Sequence, residues 1–515
     1  MQVPPNVQRS FDMAKRLRQP WEARWQRLAE LAMPYSTSFF GALGGNDGQN
    51  VASVYDETGM NGIDEMANRL QEGIVPDGVE WARFEGAADT DDATRAALAD
   101  VQRYMFKLLS RSNFGPEVND CFKDLAGPGN TCLRVMPGDW QSPLAFQAIP
   151  LADMWMTPGA NGKIADRHVR YRLAGYAVKA QWPNADVPAE LEKKMDTQEI
   201  IESWILDLDS PTERWQAVVH WQGQVLRQAE YQGAGSCPYV IARWGKGAGE
   251  LYGKGQGMMA LPAIEVANDV VRLILAHGEM ALAGMWQAED DGVMNPYAVQ
   301  LVPGAIIPRA PGSRGLEPLQ LPSTKLDIGQ LVLEDQRHAI RKALYTETLG
   351  RREGTPISAF EVQERMAELA RQIGPAFQRV WHEFVVPLLA RVRFVLDEAG
   401  LVVMPMIDGR QMKVASASAL VRAASRGDVR RINEWLGGIA ANYGPAAVQT
   451  MVPAERYMRV TADRMDIPAD LPFSDREIQA NAQRLGSMYG QAEAEQPGGG
   501  AQALAPLLAA MGVGK

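Results

Sequence analysis

The sequence predicts an α+β protein in which a β-rich block lies between two helical regions. Three observations predict it. Apolar residues recur at helical spacing through the first 130 positions, the period falls to two between about 131 and 244, and long helical stretches return from about 258 onward. Hydrophobic residues make up 46% of the 515 and charged residues 22%, a balance that excludes wholesale disorder and leaves room for several packed units.

Trp21, Trp25, Leu28 and Ala32 share one face of a helix expected to start after Pro20. Met60, Ile63, Met66 (or Ala67), Leu70 and Ile74 mark a second, ended by Pro76-Asp77-Gly78, and Leu98, Val101, Met105 and Leu108 a third. Core packing is the plain account of all three stripes. Seven short β-branched or aromatic runs follow, at 131–136, 144–149, 168–173, 199–208, 214–221, 225–231 and 239–244, with one short helix at 175–181.

The passage from Gly245 to Gly257 is glycine-rich, and a phosphate-cradling loop is the reading it invites. A P-loop would need glycine at 248 and Ser or Thr at 255, where Ala248 and Gly255 stand. A dinucleotide fingerprint fails at Met258. A hinge or close-packed turn is expected instead. The helix predicted next, about 262–282, is apolar almost all round. Its polar Glu265, Asn268, Asp269, Arg272 and Glu279 fall within about 80° of one another, so only a sliver is expected to be exposed.

Prolines and glycines break residues 286–321 into short apolar pieces, a small β insert between two helices. The second helix, 326–349, carries Leu326, Leu333, Ile340 and Leu344 on one stripe and Ile328, Val332 and Ala339 on the opposite one, as a helix with neighbours on both flanks requires. After the loop from Gly350 to Gly354, Pro356 and the Ser358/Glu361 capping box open a long helix. Its apolar face runs from Val362 through Ile373, Phe377, Val380, Phe384, Leu388 and Val392 to Val395, with kinks expected at Pro375 and Pro387. A strand at 401–406, helices to about 488 and a flexible tail beginning at Pro497-Gly498-Gly499-Gly500 complete the chain.

Chemistry finds little foothold. Cys121, Cys132 and Cys237 are odd in number and form no C-x-x-C, which argues against a disulfide scaffold or zinc ribbon. Five histidines show no metal-ligand spacing, and His382-Glu383 lacks the second histidine of H-E-x-x-H. Ser236 and Ser487 lack the glycines of a nucleophile elbow, and Asp207 to Glu213 lacks the glycine of a calcium loop. No cofactor or metal is expected. Arg9, Lys15, Arg16 and Arg18 near the start speak against a secretory signal, and no apolar run is long enough to span a membrane. Thirteen tryptophans beside many carboxylates leave a glycan-active enzyme as a distant alternative, to be recognised by turnover of polysaccharide.

Four short pieces, taken in order, carry a family likeness. They are Val54-Tyr55-Asp56-Glu57-Thr58-Gly59 with Ala67-Asn68-Arg69-Leu70, Ile74-Val75-Pro76 and Trp81; Leu251-Tyr252-Gly253-Lys254-Gly255 before an apolar helix; Ile357-Ser358-Ala359-Phe360-Glu361-Val362 with Arg365; and Asp466-Ile467-Pro468 before Ser474-Asp475-Arg476-Glu477. Their order and spacing resemble the portal, or head-to-tail connector, proteins of short-tailed tailed phages, with Ser358 and Phe360 standing where threonines are usual.

The resemblance implies a portal fold: a wing over 1–257, stem helix 258–285, a small β-containing clip over 286–325 and a second stem helix 326–349. A tunnel loop 350–356, a long kinked wing helix and strand 357–414, a helical crown 415–488 and a tail 489–515 would follow. It implies a non-enzymatic ring, usually of twelve, that is assembled in the host cytoplasm and sits at one capsid vertex. Its partners would be the major capsid and scaffolding proteins, the packaging terminase, a tail adaptor and duplex DNA without sequence specificity, and no membrane. Arg351 and Arg352 would face the channel from the tunnel loop, Arg337 and Arg341 from the stem, and Leu333 and Ile340 would serve ring assembly. The plain alternative for the arginines is surface ion pairing with Glu334, Glu347 and Glu353. The net charge of −10 per chain suits a channel past which phosphates slide. A rival within the virion, a tail adaptor, would lack the stem–clip–stem order.

Overall fold

The computed structural model describes residues 2–36, 39, 54–85, 92–283, 286–287, 317–318, 324–347, 372–402, 413–416, 419–444, 457 and 461. They are mixed helix and sheet, as the sequence predicts, and fall into two compact units. The first comprises Met1–Arg69, Arg111–Arg351 and Gln378–Leu401; the second comprises Leu70–Ser110, Arg352–Phe377 and Val402–Lys515. In chain order the elements begin with α1 (Pro5–Ala32), α2 (Thr58–Ile74), β1 (Ala82–Glu85), α3 (Asp92–Leu109), α4 (Phe114–Ala126), β2 (Asn130–Pro137), β3 (Leu144–Ile149), β4 (Met154–Pro158) and β5 (Ile164–Ala174). They continue with α5 (Gly175–Gln181), α6 (Ala189–Glu192), β6 (Thr197–Leu206), β7 (Arg214–Trp221), β8 (Gln224–Gln232), β9 (Tyr239–Arg243) and α7 (Gln256–Ala283). Then come β10 (Trp286–Gln287), β11 (Glu317–Pro318), α8 (Thr324–Ala343), a long helix over 372–398, β12 (Lys413–Ser416) and a helix Ala419–Tyr443.

In the first unit, α1 begins at Pro5 rather than after Pro20. Val7, Phe11, Ala14, Arg18, Trp25, Leu28 and Ala32 are buried at spacings that run straight through Pro20, so packing along the whole face outweighs the one N–H that Pro20 lacks. Arg18 hides this pattern in the sequence. Its guanidinium is 1% exposed and donates to the carbonyls of Met154 and Ala152 at 2.8 Å each, with Glu22 as its ion partner.

The predicted β-rich block forms two antiparallel sheets, one in the order β4-β5-β6-β7-β8 and one in the order β3-β2-β9. β4 escapes a reading based on alternation because Met154, Trp155, Met156 and Thr157 are all buried. A single core, which includes Trp25 of α1 with Val169, Ile200, Trp204, Trp215, Trp221 and Tyr239, joins the sheets. The glycine-rich passage is the close-packed turn expected of it. A Cβ on Gly253 would lie 2.5 Å from the Gly129 carbonyl oxygen, and one on Gly255 would lie 2.3 Å from that of Gly127. Asn130 clasps Gly253 through both its amide groups, at 3.0 and 2.6 Å.

Two arginines tie this lobe to the long helix. Arg391 donates to the carbonyls of Val135, Gly235 and Ser236, while Arg243 holds Glu383 through two nitrogens at 2.9 and 2.6 Å. The expected kink near Pro387 takes the form of a π-helical turn, Trp381–Val385, closed by the Val386 N–H on the Trp381 carbonyl. A wider turn at that point accommodates a proline that cannot donate to the preceding turn. The predicted apolar positions Phe384, Leu388, Val392 and Val395 are buried.

In the second unit, β1 pairs antiparallel with β12, from Ala82 opposite Ser416 to Glu85 opposite Lys413. β12 corrects the expectation of unbroken helix after Asp408-Gly409: cross-strand partners stabilise Lys413–Ser416 as a strand, and a partner 330 positions away leaves no mark in local sequence. α3 packs on β1, with Trp81 edge-on to Phe106 at 4.9 Å. Residues 403–406 of the predicted strand, the capping box at 356–361, most of the clip, most of the crown and the tail lie outside the described residues. Among the described residues, no helix is long and apolar enough to cross a membrane.

Candidate functional site

The segment before α2 and the pair α7 and α8 form one built feature. Asn268 of α7 accepts the backbone N–H of Tyr55 at 2.7 Å and of Asp56 at 3.3 Å through its Oδ1. Asp56, 3% exposed, uses Oδ1 to cap α2 at the Thr58 N–H, 3.0 Å away. Its Oδ2 receives Arg337 of α8, Nε at 2.9 Å and Nη2 at 2.8 Å. Asp56 thereby joins a helix start to both long helices, to α7 through its backbone N–H and to α8 through its carboxylate. Glycines let α2 approach closely: Gly59 lies against Ile264, and a Cβ on Gly62 would lie 2.5 Å from Leu344 Cδ1. β10 and β11 pair antiparallel, Trp286 opposite Pro318, which brings together the two ends of the predicted insert.

α7 starts at Gln256, six residues ahead of the expected Pro262, and it exposes far more than a sliver. Met259 is 65% exposed, Val266 43%, Leu273 61% and Leu275 56%. Met259, Val266 and Leu273 recur every seven residues and so lie on one side of the helix. That spacing was the available signal. On α8, a Cβ on Gly329 would lie 3.7 Å from Ile274 Cδ1 of α7, and Leu331, two positions on, is 67% exposed.

The predicted site residues are placed as follows. Leu333 is 8% exposed and Ile340 is fully buried, so within one subunit they pack inward with Leu344 rather than present a surface. Arg337 is engaged by Asp56 and lies 3.7 Å from Glu334. Arg341, one turn on, is exposed and forms no ion pair with a described residue. Arg351 and Arg352 lie outside the described residues.

Two buried polar constellations also emerge. Ser10 of α1 donates to Asp166 Oδ2 at 2.5 Å and contacts His168 Nε2 at 3.0 Å, while His168 Nδ1 meets Ser203 Oγ at 2.9 Å. The carboxylate orients the serine rather than the imidazole, the reverse of a catalytic relay. Glu202 collects four donors: Arg134, Trp182 and Tyr239 on Oε2, at 3.3, 3.2 and 2.8 Å, and Trp204 on Oε1 at 2.9 Å. Cys121, Cys132 and Cys237 are free, and burial pushes all three thiols up. Among the described residues, no cluster of three metal-ligating side chains occurs.

Burial lowers His168 to about 3, helped by His220 and Lys15, and lowers His220 to about 4, helped by Lys15. Both imidazoles are therefore neutral in the fold, while an unfolded chain protonates them near 6.5. Their contribution is present above that value and is lost as pH falls toward 4 and 3. At pH 5 each should have lost about 2 kcal/mol. Burial raises Asp124 to about 7, which acts in the opposite direction but is common to any pair of variants. Relative to a His168→Gln/His220→Gln double variant, the wild type should thus lose about 4 kcal/mol of unfolding free energy between pH 7.5 and 5. Parallel pH profiles in urea titrations would refute this.

The family described as bacteriophage head to tail connecting protein matches residues 5–472. The probable portal protein of Bordetella phage BPP-1 is 20% identical over 501 residues, covering 90% of this chain and 87% of that one. Among solved structures, a chain of the virion of a native gene transfer agent particle aligns with a TM-score of 0.39 at 12% identity, over 78% of this chain and 89% of that one. A chain from the neck of the native particle, computed with C12 symmetry, aligns at 0.38 and 12% identity over the same shares.

Proposed function

Because the chain belongs to the bacteriophage head to tail connecting protein family, we propose that its copies close into a portal ring at one vertex of the capsid, a conduit for packaging and ejecting the genome. A twelve-subunit ring is the family expectation. The observation that carries ring closure is the set of apolar side chains that α7 and α8 leave exposed, Met259, Val266, Leu273, Leu275 and Leu331, which stand in water on a lone subunit. A neighbouring copy would cover them. Leu333 and Ile340 support the ring from behind, by seating α8 on its own subunit.

The rest of the reading extends from that ring. The insert between α7 and α8 is the clip, where the terminase and then the tail adaptor would dock, and capsid and scaffolding proteins would surround the wing. Duplex DNA would pass without sequence readout, touched only through its phosphates. Arg351 and Arg352 in the tunnel loop and Arg341 on the stem supply positive collars; Arg337 contributes less, since Asp56 already neutralises it. With −10 per chain, twelve chains carry −120, so the collars are small positive bands in an acidic ring.

Negative-stain images of the purified protein should show rings with a central hole, and compact monomers would remove the ring reading. Arg351→Glu with Arg352→Glu should leave the rings intact and cut packaged DNA at least roughly tenfold, because each substitution replaces a phosphate-attracting collar by a repelling one. Normal packaging by that variant would remove the DNA-contact assignment.

A further inference from the structure

One contact fixes which way the turns of α7 point. A Cβ on Gly329 of α8 would lie 3.7 Å from Ile274 Cδ1, so Ile274 faces α8. Successive helical residues are turned by about 100°, so Leu273 and Leu275 leave α7 on opposite flanks of that contact. Both stand open, 61% and 56% exposed. The Leu273 flank is apolar and open along its length, since Val266 and Met259 precede Leu273 at steps of seven residues on the same side and are exposed as well. The Leu275 flank is covered lower down and open above. Asn268, seven residues before Leu275 on that side, is 7% exposed and is covered by its own chain, whose Tyr55 N–H donates to Asn268 Oδ1 at 2.7 Å. Tyr55 itself is 40% exposed.

A single neighbour cannot cover two opposite flanks. A twofold dimer joins like to like and leaves one flank of each copy in water, whereas a closed ring gives every copy two neighbours and joins unlike surfaces. The spacings on the two flanks match. Val266 to Leu273 is two turns, and so is Asn268, under Tyr55, to Leu275, about 10.5 Å in each case. We propose that neighbouring copies meet through unlike flanks of α7: Val266 and Leu273 of one copy, with Met259 beyond them, pack on Tyr55 and Leu275 of the next. Tyr55 suits that place, because its ring offers broad apolar area while its hydroxyl can stay at the wet rim. The pairing rests on the ring reading and adds to it which side chains meet.

Cross-linking of introduced cysteines in assemblies of the full-length protein tests it. The native Cys121, Cys132 and Cys237 are buried, so a short bismaleimide reports only cysteines placed on the surface. Chains carrying Leu273→Cys and chains carrying Leu275→Cys, co-expressed and assembled together, should give covalent dimers, and assemblies of either variant alone should give none. Val266→Cys with Tyr55→Cys should behave in the same way. All four positions are exposed on a single copy, so the substitutions should leave its fold in place, with an unchanged thermal unfolding temperature. Dimers as abundant from a single variant as from the mixture would mean that like meets like and would overturn the pairing. Rings whose mixture yields no dimers would overturn it too. Sedimentation beforehand separates this from the ring reading: a wild type that forms no rings removes both, whereas rings with the wrong cross-links remove the pairing alone.

Discussion

Glu202→Ala should cost the subunit about 3–5 kcal/mol, the usual penalty for removing one partner of a buried ion pair. The carboxylate is 3% exposed and is the shared acceptor for donors from β2, the end of α5, β6 and β9. Its loss leaves the Arg134 guanidinium, 5% exposed, without a counter-charge, and the ring N–H groups of Trp182 and Trp204 without an acceptor. Burial by itself would depress Arg134; the facing oxygens of Tyr239, Tyr171 and Glu202 reverse that and hold it above its ordinary value. Arg134→Met should cost less, since Glu202 keeps three donors. Arg134→Met with Glu202→Leu should not recover the loss, because the two indoles and Tyr239 still lack the acceptor. Urea unfolding measures all three variants. A penalty under about 1 kcal/mol for Glu202→Ala would show that water or repacking replaces the carboxylate.

Leu273→Asp combined with Leu331→Asp should abolish rings while leaving each subunit folded. Both side chains are more than half exposed on a single copy, so the substitutions remove nothing from its own core. Covering two leucines contributes about 4 kcal/mol to each contact, on the order of a thousandfold in association at every interface of a closed ring. Ile340→Asp gives the contrast. It places a carboxylate at a fully buried position and should lower the unfolding temperature of the subunit itself, with ring loss only as a consequence. Sedimentation and thermal unfolding separate the two outcomes. Full-size rings from the double surface variant would show that α7 and α8 meet no neighbour.

Much of the β-rich lobe was legible residue by residue. β3, β7 and α5 occupy the predicted spans, because short β-branched or aromatic runs and a short helix, each bounded by turn residues, carry their signal locally in the chain. The arginine and glutamate interior was not legible. Nothing local marks Arg18, Arg134 and Glu202 as buried, and their burial is made tolerable by donors and acceptors brought together in the fold. β12 was hidden for the same reason, since its partner β1 lies more than 300 positions earlier.

The candidate site divides along the same line. Asp56 stands out in the sequence only as part of a short signature; its role as the acceptor for Arg337 and the cap of α2 needs α2, α7 and α8 assembled around it. By itself the sequence determined the order of helix, sheet, helix pair and long helix, the break between α7 and α8, and the opposed apolar stripes of α8, because each is a local matter of period, turn residues and composition. Which stripe faces inward, where α8 stops and which apolar side chains are left in water were decided only by tertiary structure. Two opposed stripes repeat every three or four residues alike. Tertiary contacts break that symmetry, among them the close approach of Gly62 to Leu344, of Asp56 to Arg337, and of Gln256 and Arg69 to Tyr345.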